Sequence, residues 1–102
     1  QEAERLAAAQ PPGSELIALD ERGAQLTTRE LAGWLQGWQD EGVAPYFVIG
    51  GTDGLDESLK RRAKKTLALS KLTLPHALAR LMLVEQLYRA MAILKNHPYH
   101  RD

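Results

Sequence analysis

The stretch YFVIGGTDG, residues 46–54, gives the first indication of how this chain folds. Aromatic and β-branched residues open it, as in a buried strand, and two adjacent glycines follow at once. Ligands bind at the carboxyl ends of strands in open α/β sheets, and glycine lets the backbone approach a ligand closely. The turn is therefore a candidate binding site, although a tight strand-to-helix turn needs the same residues. It matches neither G-x-G-x-x-G nor a phosphate-binding P-loop.

Strand-like and helix-like segments alternate on both sides of this stretch. ELIALD (Glu15–Asp20) and LALS (Leu67–Ser70) are short apolar runs that are typical of buried strands. Helices are predicted at residues 2–10, 28–42, 56–66 and 76–94. This alternation predicts a single α/β domain over residues 1–102, with a parallel sheet that is covered by helices on both faces.

The second predicted helix carries its own boundary signals. Thr27 and Glu30 have the spacing of a capping box, and Gly42 is placed to end the helix. Trp34 and Trp38 fall on its apolar face, which favours packing in the core or in an interface over stacking on nucleic-acid bases.

The last predicted helix has apolar residues around most of its circumference, including Leu78, Leu81 and Leu83. A helix that is apolar on all sides must be buried on all sides, and one small domain covers only part of it. The pattern therefore predicts a homodimer with its twofold axis near this helix.

The neutral net charge conceals two oppositely charged halves. Residues 1–57 contain 11 acidic and three basic side chains, whereas residues 58–102 contain ten basic and two acidic ones. A basic half allows contact with a polyanion, and a solvated helix face is the alternative interpretation. The sequence has no cysteine, which excludes disulfides and thiolate metal sites, and no apolar run long enough to predict a membrane helix.

A second candidate site is SKLTLPHALAR, residues 70–80, which runs from the third strand into the last helix. Leu72 and Leu74 in this loop would suit an adenine held between aliphatic side chains, and a plain strand-to-helix connection is the alternative. His76, at the helix start, is interpreted as a structural hydrogen-bonding residue, with a role as a base as the alternative. Glu85 is interpreted as the ion-pair partner of Arg89 one turn away.

The chain ends in NHPYHRD, residues 96–102, where most side chains can hold a proton or a phosphate. His97 and His100 are three residues apart, but they have no acidic or thiolate neighbour that would complete a metal site. We therefore expect no metal there.

Three stretches together, IGGTDGL (49–55), LSKLTLPHALARLMLVEQLYRA (69–90) and NHPYHRD (96–102), resemble the RlmH family of SPOUT-class methyltransferases. The resemblance implies a trefoil knot, formed where the C-terminal segment threads through a loop. It also implies methyl transfer from S-adenosylmethionine to N3 of a pseudouridine in 23S ribosomal RNA, by a homodimer acting on the ribosome in the bacterial cytoplasm. Family members carry a further N-terminal strand-helix-strand portion, so the chain is expected to be N-terminally incomplete and to cover the C-terminal two-thirds of the family fold.

The resemblance further implies which residues form the site. The methyl donor is expected in a pocket of three loops in the knot, near the dimer interface. The residues implied there are Leu19, Gly51, Ser70, Lys71, Leu72, Thr73, Leu74 and Pro75. The residues implied for catalysis are Tyr99, His100 and Arg101. The alternative is a non-catalytic RNA-binding or ribosome-associated dimeric domain that uses only the basic face.

Overall fold

A computed structural model describes residues 2–50 and 56–96 of the chain. Within these ranges strands and helices alternate, as the sequence predicts. The elements are α1 (Glu2–Ala8), β1 (Ser14–Gln25), α2 (Thr28–Glu41), β2 (Ala44–Ile49), α3 (Glu57–Arg62), β3 (Lys65–Ala68) and α4 (His76–Leu94).

The three strands form a parallel sheet in the order β2-β1-β3. Leu19 of β1 pairs with Ile49 of β2 on one side and with Leu67 of β3 on the other. The carboxyl ends of the strands therefore lie level at one edge of the sheet. The predicted parallel sheet is confirmed.

Helices cover both faces of the sheet, as predicted. Ile17 and Leu19 point to one face, where they pack in a core that includes Trp38 of α2 and Leu83 of α4. The alternate residues of β1 pack on the other face, in a smaller cluster that includes Leu59 of α3. Because successive side chains of a strand point to opposite faces, the unbroken apolar run of β1 supplies both cores.

Helix α2 begins and ends where the sequence predicts. The Thr27 hydroxyl accepts a hydrogen bond from the Glu30 backbone N–H at 3.0 Å, and the Thr27 N–H donates to the Glu30 carboxylate at 2.8 Å. This reciprocal pair is a capping box. At the other end Gly42 has φ of 68°, the left-handed conformation that glycine adopts at low cost.

The tryptophans of α2 are packing residues, as predicted. Trp38 is 2% exposed, and its ring meets Phe47 edge-on with 6.0 Å between centroids. Its indole N–H donates to a carboxylate oxygen of Glu15 at 3.1 Å, which satisfies the polar atom of a buried ring. Trp34 is half-buried and packs edge-on against Trp38.

Strand β1 is longer than predicted, because the sequence places its end at Asp20 and the strand continues to Gln25. Leu19 and Ala24 both pair with Leu67, so residues 20–23 form a bulge that leaves the ladder and returns to it. Gly23 permits this return, since a Cβ there would lie 2.7 Å from backbone atoms of Thr66. The extension was not predicted, because the charged residues of the bulge interrupt the apolar pattern that indicates a buried strand.

The predicted boundary between α3 and β3 is also wrong. Helix α3 ends at Arg62 rather than Thr66, and β3 spans Lys65–Ala68 rather than residues 67–70. The Lys64 backbone N–H donates to the Leu16 carbonyl at 2.9 Å, which draws the chain into the sheet. Sheet pairing thus overrides the helical preference of the lysines. Helix α4 has the predicted bounds.

The predicted trefoil knot depends on residues 97–102, which lie outside the described residues. It stays a prediction.

Substituting Gly23 tests the close approach of the bulge to β3. We expect Gly23→Ala to lower the free energy of unfolding by about 1–3 kcal/mol, because the added Cβ collides with the backbone at Thr66. Gly37→Ala in α2 is the matched control, since it meets nothing within 4 Å and should stabilise the helix by about 0.5–1 kcal/mol. Chemical denaturation measures both, and an unchanged stability in Gly23→Ala would contradict the predicted collision.

Candidate functional site

A cavity of about 260 Å³ opens at the sheet edge where the three strands end. Leu19 contributes from β1, Ile49 and Gly50 from the end of β2, and Leu69 from the segment that follows β3. Ala79 of α4 completes this part of the lining. A concave surface at the carboxyl ends of parallel strands is the usual ligand position in an open α/β sheet.

The cavity brings together several residues that the sequence singles out from distant positions. Five of the eight implied donor-binding residues line it, and they come from β1 and from the loop between β3 and α4. They are Leu19, Ser70, Leu72, Thr73 and Leu74.

Of the remaining three implied donor-binding residues, two do not line the cavity and one lies outside the described residues. Lys71 lies in the same loop, and Pro75 is the N-cap residue of α4. Gly51 lies outside the described residues, directly after Gly50, which does line the cavity.

The loop between β3 and α4 is held by two hydrogen bonds from its own side chains. The Ser70 hydroxyl accepts from the Leu72 backbone N–H at 3.0 Å. The Thr73 hydroxyl donates to the Glu21 carboxylate at 2.8 Å, which connects the loop to the bulge of β1. Leu72 is 74% exposed at the cavity, so a large apolar surface is available to a ligand.

Four charged residues at the cavity were not predicted from the sequence. They are Asp20, Glu21 and Arg22 of the bulge and Lys60 of α3. We call them the charged wall. The run of charges directly after a buried strand was a usable signal, because that position is at the ligand-binding edge of a parallel sheet. Lys60 had no such signal, since only the fold brings it to β1.

Asp20 and Lys60 form an ion pair within the charged wall. The Lys60 Nζ lies 3.2 Å from an Asp20 carboxylate oxygen, and the side chains are 26% and 10% exposed, respectively. The other Asp20 oxygen accepts a hydrogen bond from the Arg22 backbone N–H at 2.9 Å. That bond and the contact with Lys60 lower the pKa of Asp20, although burial opposes the shift. Asp20 is therefore a carboxylate at neutral pH.

The cavity suits a ligand that is apolar at one end and charged at the other. Aliphatic side chains such as Leu72 and Leu74 offer surface for a ring system, and the charged wall offers both signs of charge. S-adenosylmethionine combines an adenine ring with an α-amino acid, so the residues present fit this donor. Its chemistry is to supply an electrophilic methyl group from a sulfonium.

The residues implied for catalysis, Tyr99, His100 and Arg101, lie outside the described residues, as does His97. Their roles stay predictions.

The two interpretations made inside α4 have different outcomes. The Arg89 Nε donates to the Glu85 carboxylate at 2.8 Å, so the predicted ion pair is confirmed. His76 is exposed in the first turn of α4, and its structural role stays a prediction. Across residues 2–50 and 56–96 no group of three or more acidic or histidine side chains is arranged to hold a metal ion.

The protein-family model described as "Predicted SPOUT methyltransferase" matches residues 1–100 of the chain. The chain belongs to the SPOUT methyltransferase family. The three-stranded parallel sheet with helices on both faces is consistent with this assignment.

Curated relatives narrow the resemblance further. A ribosomal RNA large subunit methyltransferase H from Thiobacillus denitrificans is 64% identical over 99% of this chain and 65% of its own length. Proteins with the same name from Polynucleobacter asymbioticus and Ralstonia pickettii are 60% and 59% identical, over 99% and 98% of this chain and 69% and 64% of their own lengths. The predicted resemblance to RlmH is confirmed. The chain spans about two thirds of the length of these relatives.

In the part of this SPOUT chain that the structure describes, no helix combines the length and the apolar character needed to cross a membrane.

The electrostatics of Asp20 predict a pH-dependent contribution to stability. Because its pKa is lowered in the folded chain, ionised Asp20 stabilises the fold above its ordinary value of 3.8, and this contribution is lost as pH falls through the lower folded value. Asp20→Asn keeps an oxygen that accepts from the Arg22 N–H and removes only the charge. We expect the difference in free energy of unfolding between wild type and this variant to shrink as pH falls below 3.8.

Denaturation at a series of pH values measures that difference. Glu57→Gln is the control, since Glu57 is 76% exposed and lies 3.9 Å from the same lysine, so its loss should cost little at any pH. A difference for Asp20→Asn that stays constant with pH would contradict the assignment.

Proposed function

We propose that the chain is the donor-binding and catalytic domain of a methyltransferase of the large ribosomal subunit. The reaction is transfer of a methyl group from S-adenosylmethionine to N3 of a pseudouridine in 23S rRNA, in the bacterial cytoplasm. The observation that carries the proposal is the cavity at the strand ends, lined by Leu19 and by the loop between β3 and α4. The names of relatives that are 59–64% identical support the substrate class.

In this proposal the adenine lies against the aliphatic part of the cavity. Leu72 and Leu74 pack on its faces, and backbone groups of their loop pair with its edge. Gly50 and Gly51 allow the chain to approach the donor without a side chain between them. The proposed role of this domain is to place the methyl group in line with the attacking nitrogen.

The tail supplies the acceptor side of the proposed reaction. The pseudouridine imide must lose a proton before its nitrogen attacks the methyl carbon, and the bond from carbon to sulfur breaks as the new bond forms. An imidazole is the side chain best suited to accept a proton at neutral pH, so His100 or His97 is the proposed base. Tyr99 stacks on the pyrimidine or donates to it, and Arg101 binds a phosphate or the imide oxygen as charge develops there.

Exposed basic side chains in and after α3 support an RNA substrate. Arg61, Arg62 and Lys64 are exposed in and directly after α3. The other two lysines of this region have contacts within the domain, since Lys60 pairs with Asp20 and Lys65 lies over the Trp34 ring at 5.0 Å from its centroid. The proposed phosphate contacts are therefore the three exposed cations.

An exposed apolar stripe on α4 supports a homodimer. Leu81, Val84 and Tyr88 are 65%, 59% and 56% exposed, and their spacing places them on one face of the helix. Leu78, which is 44% exposed, lies beside them, whereas Leu83 is buried against the sheet. An isologous contact, in which the same stripe of two subunits meets across a twofold axis, would cover both stripes. Twofold symmetry is the commonest symmetry of soluble oligomers.

The dimer can be tested with a charge in the stripe. We expect Leu81→Lys to convert a dimer to a monomer at micromolar concentration, because two lysines would face each other near the twofold axis without partners. Sedimentation velocity measures the change. Gln36→Lys, which adds the same charge at an exposed position of α2, should leave the dimer intact. A wild-type chain that sediments as a monomer would contradict the proposal.

The proposed function is tested in two steps, donor binding and methyl transfer. We expect calorimetric binding of S-adenosylhomocysteine, and transfer of labelled methyl groups to large ribosomal subunits that lack the modification. Tyr99→Ala and Arg101→Ala should lower the transfer rate by about 100-fold or more and leave donor affinity nearly unchanged, because these residues face the acceptor. Lys95→Ala, which removes an exposed cation at the end of α4, is the control.

Two results would contradict this proposal in different ways. Absence of donor binding would favour the alternative, an RNA-binding or ribosome-associated domain without catalysis. Unchanged transfer in both tail variants would remove the tail from the mechanism and leave the donor site in place.

A further inference from the structure

The ion pair of Asp20 and Lys60 has a position that stability alone does not explain. Lys60 extends from α3 to the carboxyl end of β1, and the pair lies in the wall of the cavity. Both side chains are withdrawn from most of the solvent, Asp20 more than Lys60. Removing two charges from water costs about as much as their attraction returns, so the attraction within the pair adds little net stability, and the stabilisation by ionised Asp20 comes first from its hydrogen bond with the Arg22 N–H.

The geometry of the pair matches a particular chemical group. A carboxylate and an ammonium 3.2 Å apart form a short dipole that faces the cavity. An α-amino acid carries an ammonium and a carboxylate on one carbon, which makes a dipole of similar size. When the two dipoles lie antiparallel, each charge of one faces the opposite charge of the other. Every hydrogen bond between the ion pair and the ligand is then charge-assisted.

We propose that Asp20 and Lys60 recognise the amino-acid end of the methyl donor, Asp20 binding its α-ammonium and Lys60 its α-carboxylate. This inference rests on the proposed function, because it assigns a part of the donor to a part of the same cavity. The inference gives a specificity-determining role to two residues that belong neither to the apolar lining of the cavity nor to the C-terminal tail.

The other charges of the wall are less suited to this role. The Glu21 carboxylate accepts the hydrogen bond from Thr73, and both Glu21 and Arg22 are exposed. Glu57 also faces Lys60, but at 3.9 Å and from an exposed position on α3. Asp20 and Lys60 therefore combine the closest contact with the strongest shielding from water, which makes their charges the most effective in binding.

The test compares two ligands that differ only at the amino-acid end. S-adenosylhomocysteine has the α-amino acid, and 5′-methylthioadenosine keeps the adenosine and the thioether but lacks it. We expect wild-type protein to bind S-adenosylhomocysteine more tightly. Asp20→Asn and Lys60→Met should each weaken its binding by about tenfold or more and leave the affinity for 5′-methylthioadenosine nearly unchanged. Calorimetry gives the six affinities, three proteins with two ligands each, without any dependence on activity.

Glu57→Gln is the matched control, because it removes a charge that contacts Lys60 from outside the cavity and should change neither affinity. Thermal unfolding of each variant verifies that it is folded at the temperature of the titration.

Several results would overturn the inference while the proposed function stands. Wild-type protein that binds both ligands equally, or variants that bind S-adenosylhomocysteine like wild type, would show that the pair does not contact the amino-acid end. An equal loss of affinity for both ligands would assign the pair a structural role only. Wild-type protein that binds neither ligand would overturn the proposed function, and this inference with it.

Discussion

The central position of β1 in a parallel sheet is the constraint on which the other features depend. Leu19 pairs with Ile49 on one side and with Leu67 on the other, so the chain leaves all three strands at one edge. Parallel strands need crossover connections, and these place helices on both faces. The same arrangement that buries the apolar run of β1 therefore collects three connecting segments around one cavity, although they are far apart in the sequence.

The bulge of β1 shows how the fold and the candidate site share their parts. Gly23 lets the chain return to β3, and residues 20–23 extend over the sheet edge as a result. There Asp20 meets Lys60, and Glu21 accepts from Thr73 of the loop that precedes α4. A strand that ended at Asp20 would leave that loop without this contact. The charged wall is thus a consequence of the bulge in the central strand and of the packing of α3 beside it.

The sequence predicted the features that depend on local pattern. The capping box of Thr27, the extent of α4 and the apolar strand run before Asp20 all follow from spacing that a few neighbouring residues define. The features that were missed depend on contacts between distant segments. Lys64 and Lys65, directly before Leu67, favour a helix when only the local sequence is considered, but Lys65 pairs with β1 in the sheet. Lys60 reaches Asp20 only because α3 packs on the sheet. The loop residues already indicated Leu72 and Leu74 as a candidate ligand site, with a plain connection as the alternative, and the family resemblance favoured the first interpretation.

Helix α4 links the cavity to the proposed dimer interface. Ala79 lines the cavity, and Leu78 and Leu81 lie within one turn of it on the exposed side of the helix. A partner subunit that covers this stripe, as proposed, would therefore stand next to the cavity. Leu83 packs α4 into the core on the sheet, so the stripe and the cavity lining belong to one helix that the core holds in place. In the proposed dimer, the partner subunit and the proposed donor would therefore contact one helix on neighbouring parts of its surface.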